Sequence, residues 1–125
     1  MGKRILIIED DLDLAGTLAD FFTLKGFEVE TAEDGLEGLK LLKNSQFDLV
    51  ITDITMPYVS GIGILTVLKR DYPEIPVIAI TAYGEDVKSL AQEKEADAIL
   101  SKPFDHEEFL RIVKEMLRKG GSDAS

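Results

Sequence analysis

Apolar residues occur along the chain in short runs, and four of these runs are followed directly by polar residues. The four runs, rich in valine, isoleucine and leucine, occupy residues 4–8, 49–52, 77–80 and 98–101. Short, nearly continuous apolar runs separated by helix-length stretches are typical of strands in a parallel sheet that is covered on both faces. The pattern therefore predicts strands that alternate with helices.

The intervening stretches predict one further strand and several amphipathic helices. Residues 27–31 fit a second strand, and residues 84–95 carry only a weak helical pattern. The predicted core face of the first helix consists of Leu12, Ala15, Ala19 and Phe22. That of the second helix consists of Ala32, Leu36 and Leu39. The clearest apolar stripe belongs to the last helix and consists of Phe109, Ile112, Val113, Met116 and Leu117.

Five strand–helix units in series predict an α/β fold, a doubly wound (βα)5 sandwich of three layers. The flavodoxin-like strand order 2-1-3-4-5 fits this count best, and it places the topological switch point between the first and third strands. All strands of such a sheet end at the same edge, where ligands of open α/β sheets bind. Acids after the first strand and Asp53 after the third would flank this crevice.

Three carboxylates, Glu9, Asp10 and Asp53, are predicted to converge there, where their mutual repulsion would raise one or more pKa values. A divalent cation relieves this repulsion, and ligands that are all oxygen indicate Mg²⁺ or Mn²⁺ rather than zinc. The alternative is a solvated turn whose acids cap the next helix. For Asp11 and Asp13 we favour that capping interpretation.

Asp53 is either a simple metal ligand or a nucleophile, since a carboxylate beside Mg²⁺ can accept a phosphoryl group as an acyl phosphate. Lys102 would neutralise phosphate oxygens, and the Thr81 hydroxyl would donate a hydrogen bond to one of them. Taken singly, Thr81 is also explained as a β-branched strand end and Lys102 as a surface charge. Their common position at strand ends favours phosphoryl chemistry.

Composition narrows the class of protein. With 125 residues the chain forms one domain, here residues 1–119, followed by a flexible tail or linker remnant at 120–125. The absence of cysteine excludes disulfides and thiolate chemistry, and the net charge of -10 argues against contact with nucleic acid or anionic membrane. No run is long enough for a signal peptide or a membrane span, so we expect a cytoplasmic protein. His106, the single histidine, is expected at the surface.

Four short motifs occur in order along the chain. They are Ile7-Ile8-Glu9-Asp10-Asp11, Asp53-Ile54-Thr55-Met56-Pro57 with Gly61 four residues later, Pro76-Val77-Ile78 leading to Thr81-Ala82, and Lys102-Pro103-Phe104. In these motifs and their distances the chain resembles the receiver domain of two-component response regulators, over essentially its whole length.

The resemblance implies roles for the acidic residues. Asp53 would be the phosphoacceptor and a ligand of Mg²⁺. Asp10 would bind the ion directly, the Thr55 backbone carbonyl would be a further ligand, and Glu9 would act through a water. The family also implies a cis Lys102–Pro103 peptide bond, which is consistent with the restriction of cis bonds to proline.

The resemblance also implies which residues transmit or modulate the signal. Lys102 would pair with the phosphate, Thr81 would be the switch hydroxyl, and the small Ala82 lies beside the phosphoryl path. Ile99 departs from the family, which usually has Tyr, Phe or His at that position. A bulky Tyr83 would obstruct the water that hydrolyses the acyl phosphate. The alternative, equally weighted, is a surface tyrosine with no effect on the rate of hydrolysis.

The function implied is a phosphorylation-dependent switch that catalyses only its own phosphorylation and dephosphorylation. A sensor histidine kinase, a phosphotransfer protein or a small phosphodonor would load Asp53 and shift an output surface near the fourth helix, fifth strand and fifth helix. The output partner is unidentified, and a homodimer formed on phosphorylation stays open. The alternatives are an interaction module that works without phosphorylation and a Mg²⁺-dependent aspartyl-phosphate phosphatase, disfavoured because Thr55 occupies the position of its general acid.

Overall fold

The computed structural model describes residues 2–54, 61–81 and 96–120. The elements are β1 (Arg4–Ile8), α1 (Leu12–Leu24), β2 (Glu28–Ala32), α2 (Gly35–Asn44), β3 (Leu49–Asp53), α3 (Gly61–Asp71), β4 (Val77–Thr81), β5 (Ala98–Ser101) and a C-terminal helix (His106–Gly120). The strand positions predicted from the apolar runs are confirmed, and β2 begins one residue later than predicted. The weak helical pattern at 84–95 lies outside the described residues.

The five strands form one parallel sheet in the order β2-β1-β3-β4-β5, which confirms the predicted doubly wound α/β fold. In the register of the sheet, Ile8 lies beside Thr52 and Asp53 lies beside Ile80. Thr81 is paired with Ser101. The carboxyl ends of the central strands are therefore level with one another, and the residues that follow them share one edge of the sheet.

Two apolar layers cover the sheet, because successive side chains of a strand point to opposite faces. On the first face, strand residues pack against α1 and the C-terminal helix; this layer includes Ile5, Ile7, Leu49, Ile51, Ile78, Ile80, Leu18, Phe22, Phe109 and Val113. On the second face, strand residues pack against α2 and α3; this layer includes Leu6, Ile8, Val50, Val77, Ala79, Leu42, Leu65 and Leu68. The helices thus form the outer layers of the three-layer sandwich.

The predicted core faces of the first two helices are partly wrong. Leu12 and Leu36 are 63% and 68% exposed, and each lies in the first turn of its helix. Ala32 is buried as the last residue of β2 and does not belong to α2. Asp34 sets the true start of that helix, since its side chain accepts a hydrogen bond from the Glu37 N–H at 2.9 Å.

An aspartate fixes the amino ends of β4 and β5 relative to α3. The Asp97 N–H donates to the Val77 carbonyl at 2.9 Å, and the Asp97 carboxylate accepts from the Val77 N–H at 2.7 Å. The same carboxylate pairs with Lys69 of α3 at 2.9 Å. These bonds set the stagger of the two strands, and with it the position of the residues at their opposite ends.

None of the helices in the described ranges combines the length and the apolar character needed to cross a bilayer. The C-terminal helix extends through Gly120, the first residue of the predicted tail. Residues 121–125 lie outside the description, so the domain boundary stays a prediction.

Helix α2 approaches β1 closely at Gly38. A Cβ atom on Gly38 would lie 2.5 Å from Ile8 Cδ1 and 2.9 Å from Ile8 Cγ1. Ile8 is fully buried and is the last residue of β1. A side chain at position 38 would therefore displace the Ile8 side chain, next to Glu9.

We predict that G38A is less stable than G16A, although both substitutions remove a glycine from a helix. The higher helix propensity of alanine adds about 1 kcal/mol to the free energy of unfolding in each variant. At Gly38, overpacking against Ile8 lowers that free energy by about 1–3 kcal/mol. Gly16 is the matched control because a Cβ there would meet nothing within 4 Å. Urea denaturation measures both free energies of unfolding, and equal stabilisation of the two variants would contradict the close approach.

Candidate functional site

Two buried carboxylates lie side by side at the carboxyl edge of the sheet. Asp53 is the last residue of β3, and Glu9 follows β1 directly. Because Ile8 and Thr52 are paired in the register, the residues that follow them are neighbours. Glu9 and Asp53 are only 1% and 2% exposed, so both acids are largely removed from water.

The start of α1 holds Glu9 in place. The Asp11 N–H donates a hydrogen bond to Glu9 Oε2 at 3.0 Å, and Asp11 Oδ1 accepts one from the Leu14 N–H at 3.1 Å. Asp11 is therefore the N-cap of the helix, which confirms the capping interpretation. Asp10, between these two acids, is exposed to solvent.

Lys102 brings a positive charge into this acidic cluster. Its Nζ lies 2.8 Å from Asp53 Oδ2 and 3.5 Å from Glu9 Oε1. The backbone of Lys102 is anchored as well, since its N–H donates to the Thr81 carbonyl at 2.8 Å. The Lys102–Pro103 peptide bond is cis, as the resemblance implied. An unpaired surface lysine, the alternative considered above, is excluded.

These contacts shift the pKa values of two members of the cluster. Burial raises the pKa of Glu9 to about 7, the negative charge of Asp53 adds to this effect, and the Asp11 N–H and Lys102 oppose it. Burial lowers the pKa of Lys102, but its hydrogen bond to Asp53 and the two carboxylate charges raise it more, so the net shift is upward. Near neutral pH, Glu9 therefore exchanges a proton while Lys102 stays charged.

The acidic residues fit a hard divalent cation. Carboxylate oxygens of Glu9, Asp10 and Asp53 all lie within 4.8 Å of one another. Glu9 Oε1 is buried and accepts no hydrogen bond from any residue that the structure describes, and a buried acceptor of this kind is costly unless a cation or proton compensates it. Oxygen donors with solvent access at Asp10 suit Mg²⁺ or Mn²⁺, which retain several waters.

Thr81 ends β4 at the same edge and is fully buried. By strand alternation it belongs to the second face, together with Val77 and Ala79. Ile99, paired with Ala79, is partly buried against the same layer. The structure thus brings the predicted Thr81 to the edge of the acidic cluster.

Three predicted site residues, Thr55, Ala82 and Tyr83, lie outside the described residues. The sequence analysis did not predict that the Asp11 N–H would hold Glu9. The capping role predicted for Asp11 could have indicated it, because a residue that caps the helix also fixes the turn containing Glu9. The contact of Lys102 with Glu9 in addition to Asp53 was also not predicted. Both contacts are tertiary details of turns whose conformation a motif does not specify.

Comparison with known proteins identifies a family for this fold and site. The family model described as "Response regulator receiver domain" matches residues 5–114. The chain is 37% identical over 124 residues to the transcriptional regulatory protein CpxR homolog of Haemophilus influenzae, covering 98% of this chain and 54% of the relative. It is 36% identical over 125 residues to the transcriptional regulatory protein PrrA of Mycobacterium tuberculosis, covering 99% of this chain and 54% of that relative.

The chain spans about half the length of these curated relatives. Among solved structures, a CheY-like response regulator receiver domain protein from Methanospirillum hungatei superposes with a TM-score of 0.91 at 30% identity, covering 96% of this chain and 97% of that one. The similarity therefore extends over the complete sheet with its helices.

The raised pKa of Glu9 predicts that the protein loses stability as pH rises when divalent cations are removed. The unfolded chain releases the Glu9 proton near the ordinary value of 4.5, whereas the folded protein retains it up to about 7. The contribution of Glu9 to the free energy of unfolding is therefore greatest below pH 4.5 and falls as pH rises between these two values. Above pH 7 the total decrease is at most about 3 kcal/mol.

Urea unfolding in EDTA between pH 4.5 and pH 8 tests this, with E9Q as a neutral control of the same shape. The difference in stability between E9Q and the natural protein should widen as pH rises. A difference that is constant over this range would show that Glu9 does not titrate there.

Proposed function

The chain belongs to the response regulator receiver domain family, and from this premise we propose that it is a phosphorylation-dependent signalling switch whose phosphoacceptor is Asp53. The observation that carries the proposal is the pair formed by the buried Asp53 and the partly buried Lys102, beside Glu9 and Asp10. A carboxylate next to a fixed ammonium and a cation-binding cluster is suited to accept a phosphoryl group, because positive charge offsets the charge of the incoming oxygens.

The proposed ligands of Mg²⁺ are Asp10, Asp53 and the Thr55 backbone carbonyl, with Glu9 acting through a water. The buried Glu9 Oε1 and the grouping of the three carboxylates support this assignment. When bound, the ion supplies positive charge that offsets the carboxylates and the phosphoryl oxygens. Glu9, held by the Asp11 N–H, must release its proton for this role, so we expect cation affinity to rise with pH through about 7.

In the proposed reaction a carboxylate oxygen of Asp53 forms a new bond to phosphorus. The bond from phosphorus to the donor breaks, whether that donor is the phosphorylated histidine of a kinase or a small acyl phosphate, and the leaving atom keeps the electron pair. Lys102 Nζ, 2.8 Å from Asp53 Oδ2, then donates to a phosphoryl oxygen. We propose that the Thr81 hydroxyl donates to another. Attack of water on phosphorus returns Asp53 to its carboxylate form.

The switch would act by changing which surface conformation is favoured. Shifting a two-state equilibrium from mostly inactive to mostly active takes about 5 kcal/mol of differential interaction. Charge-assisted bonds from Lys102 and Thr81 are of the kind that supplies it, because both residues are partly or fully shielded from water. The proposed output surface combines β5, the C-terminal helix and residues 84–95, which lie outside the description. The proposed partners are a sensor histidine kinase or phosphotransfer protein and an output protein or domain.

We predict that the protein gains one phosphoryl group when it is incubated with acetyl phosphate and Mg²⁺. The increase in intact mass should be absent without Mg²⁺ and absent in D53N, because the amide is a poor nucleophile and cannot form the acyl phosphate. K102A should be phosphorylated more slowly, since the ammonium beside Asp53 is lost.

Beryllium fluoride, a phosphoryl mimic, controls for rapid hydrolysis of the product. Neither mass increase nor beryllium fluoride binding in a folded protein would favour the interaction module that works without phosphorylation. Continuous release of phosphate from added phosphomonoesters would favour the phosphatase instead.

We also predict that Mg²⁺ stabilises the natural protein against thermal unfolding and that D10N loses this effect. A cation at one hundred times its dissociation constant contributes about 2.7 kcal/mol. D13N is the matched control, since Asp13 is an exposed acid in the first turn of α1 outside the carboxylate cluster. Equal Mg²⁺ responses of D10N and D13N at neutral pH would contradict the proposed metal site.

A further inference from the structure

Two polar residues border the candidate site from opposite faces of the sheet. Thr81 belongs by strand alternation to the face covered by α2 and α3, where Ile99 also packs. Lys102 reaches Asp53 from the loop that follows β5, and this loop continues into Phe104, which packs on the other face. A change at Asp53 can therefore be sensed on both faces, through different side chains.

On the face of Phe104, five aromatic side chains form a closed ring of contacts, which we call the aromatic ring. Ring centroids lie 5.0 Å apart for Phe104–Phe109, 5.3 Å for Phe109–Phe22, 5.2 Å for Phe22–Phe21, 5.1 Å for Phe21–His106 and 6.0 Å for His106–Phe104. Four of these contacts are T-shaped, an arrangement that fixes the angle between partners. The aromatic ring thus connects the Lys102 loop to α1 and to the C-terminal helix.

His106 lies with Phe21 and Phe104 in the partly buried part of the aromatic ring. The expectation of a surface histidine is wrong, because its side chain is partly buried between Phe21 and Phe104. Its Nε2 atom is shielded from water and has no hydrogen-bond partner among the described residues. The orientation of the imidazole is therefore set by ring packing, and it should follow movements of its aromatic neighbours.

We propose that the aromatic ring couples the state of Asp53 to the surface formed by α1 and the C-terminal helix, with Phe104 as the positioning residue between Lys102 and the ring. Phe104 lies two residues after Lys102 and contacts both Phe109 and His106. Because packed aromatic side chains cannot overlap, a shift of the Lys102 backbone is transmitted through Phe104 in both directions around the ring.

The coupling operates in the unphosphorylated protein and rests on the proposed function only for its phosphorylated state. Lys102 Nζ lies 2.8 Å from Asp53 Oδ2, so weakening that pair must alter the position of Lys102. Coupling between two sites is reciprocal, so a ring that holds Phe104 in place also holds the Lys102 ammonium against Asp53.

The test uses the single histidine of the chain as a spectroscopic probe. We would record the imidazole resonances of histidine-labelled protein at fixed pH under two perturbations. The first is binding of beryllium fluoride with Mg²⁺, monitored separately by fluorine resonances, and the second is D53N without ligand. Each is repeated in F104L, which cuts both routes around the aromatic ring. F27L is the matched control, since Phe27 contacts Phe22 at 6.0 Å outside the closed ring.

Both perturbations should shift the His106 resonances in the natural background and in F27L. In F104L the shift of the His106 resonances should be lost although beryllium fluoride still binds. In F104Y, which keeps an aromatic side chain at position 104, the shift should be present. Two results would overturn the coupling while leaving the proposed function intact. Beryllium fluoride could bind without shifting the His106 resonances of the natural protein, or the shifts in F104L could equal those in the natural protein. If beryllium fluoride fails to bind but D53N still moves His106 through Phe104, the coupling stands and the phosphorylation proposal fails. If F104L does not fold, the comparison of D53N with the natural protein remains. Unchanged His106 resonances in D53N would then overturn the coupling.

Discussion

Burial of two carboxylates beside one ammonium is the constraint on which the site depends. Lys102 compensates Asp53 at 2.8 Å and reaches Glu9 at only 3.5 Å. The ammonium at this distance offsets the burial of the Glu9 carboxylate only in part, so the pKa of Glu9 is raised to about 7. The cluster is therefore incomplete by itself, and its energy falls when a proton or a cation is added. A site of this kind responds to changes of charge because its resting charge is unbalanced.

The parallel sheet makes this unfavourable grouping possible. Strands β1 and β3 are neighbours although they are separated in sequence by β2, and their register places Glu9 beside Asp53. Apolar side chains of both layers pack beneath these acids and supply the stability that the cluster costs. The electrostatic cost therefore lies at the carboxyl edge, whereas Asp97 satisfies polar groups at the opposite ends of β4 and β5.

Much of the fold could be predicted from sequence, because buried parallel strands are continuous apolar runs with polar ends. The same regularity predicts that Asp53 and Lys102 lie at one edge of the sheet. Helix faces were less predictable, since Leu12 and Leu36 fit the periodicity but lie in first turns and are exposed. His106 was misplaced because its shielding depends on Phe21, which is distant in sequence. Periodicity describes one element at a time, whereas these outcomes depend on how two elements meet.

The two faces of the sheet differ in how a change at Asp53 can propagate. On the face of α2 and α3, Ile99 occupies the position paired with Ala79, and a β-branched side chain has few accessible rotamers. An aromatic side chain at that position could rotate as a whole between two rotamers, whereas Ile99 can only repack together with its neighbours. On the opposite face, Phe104 leads from the Lys102 loop to a buried Phe109 and Phe22. Large rigid side chains transmit small backbone shifts because the packed interior leaves them no free volume. With isoleucine at position 99 and aromatic residues concentrated around Phe104, the proposed coupling would therefore favour the face of α1 and the C-terminal helix over the face of α2 and α3.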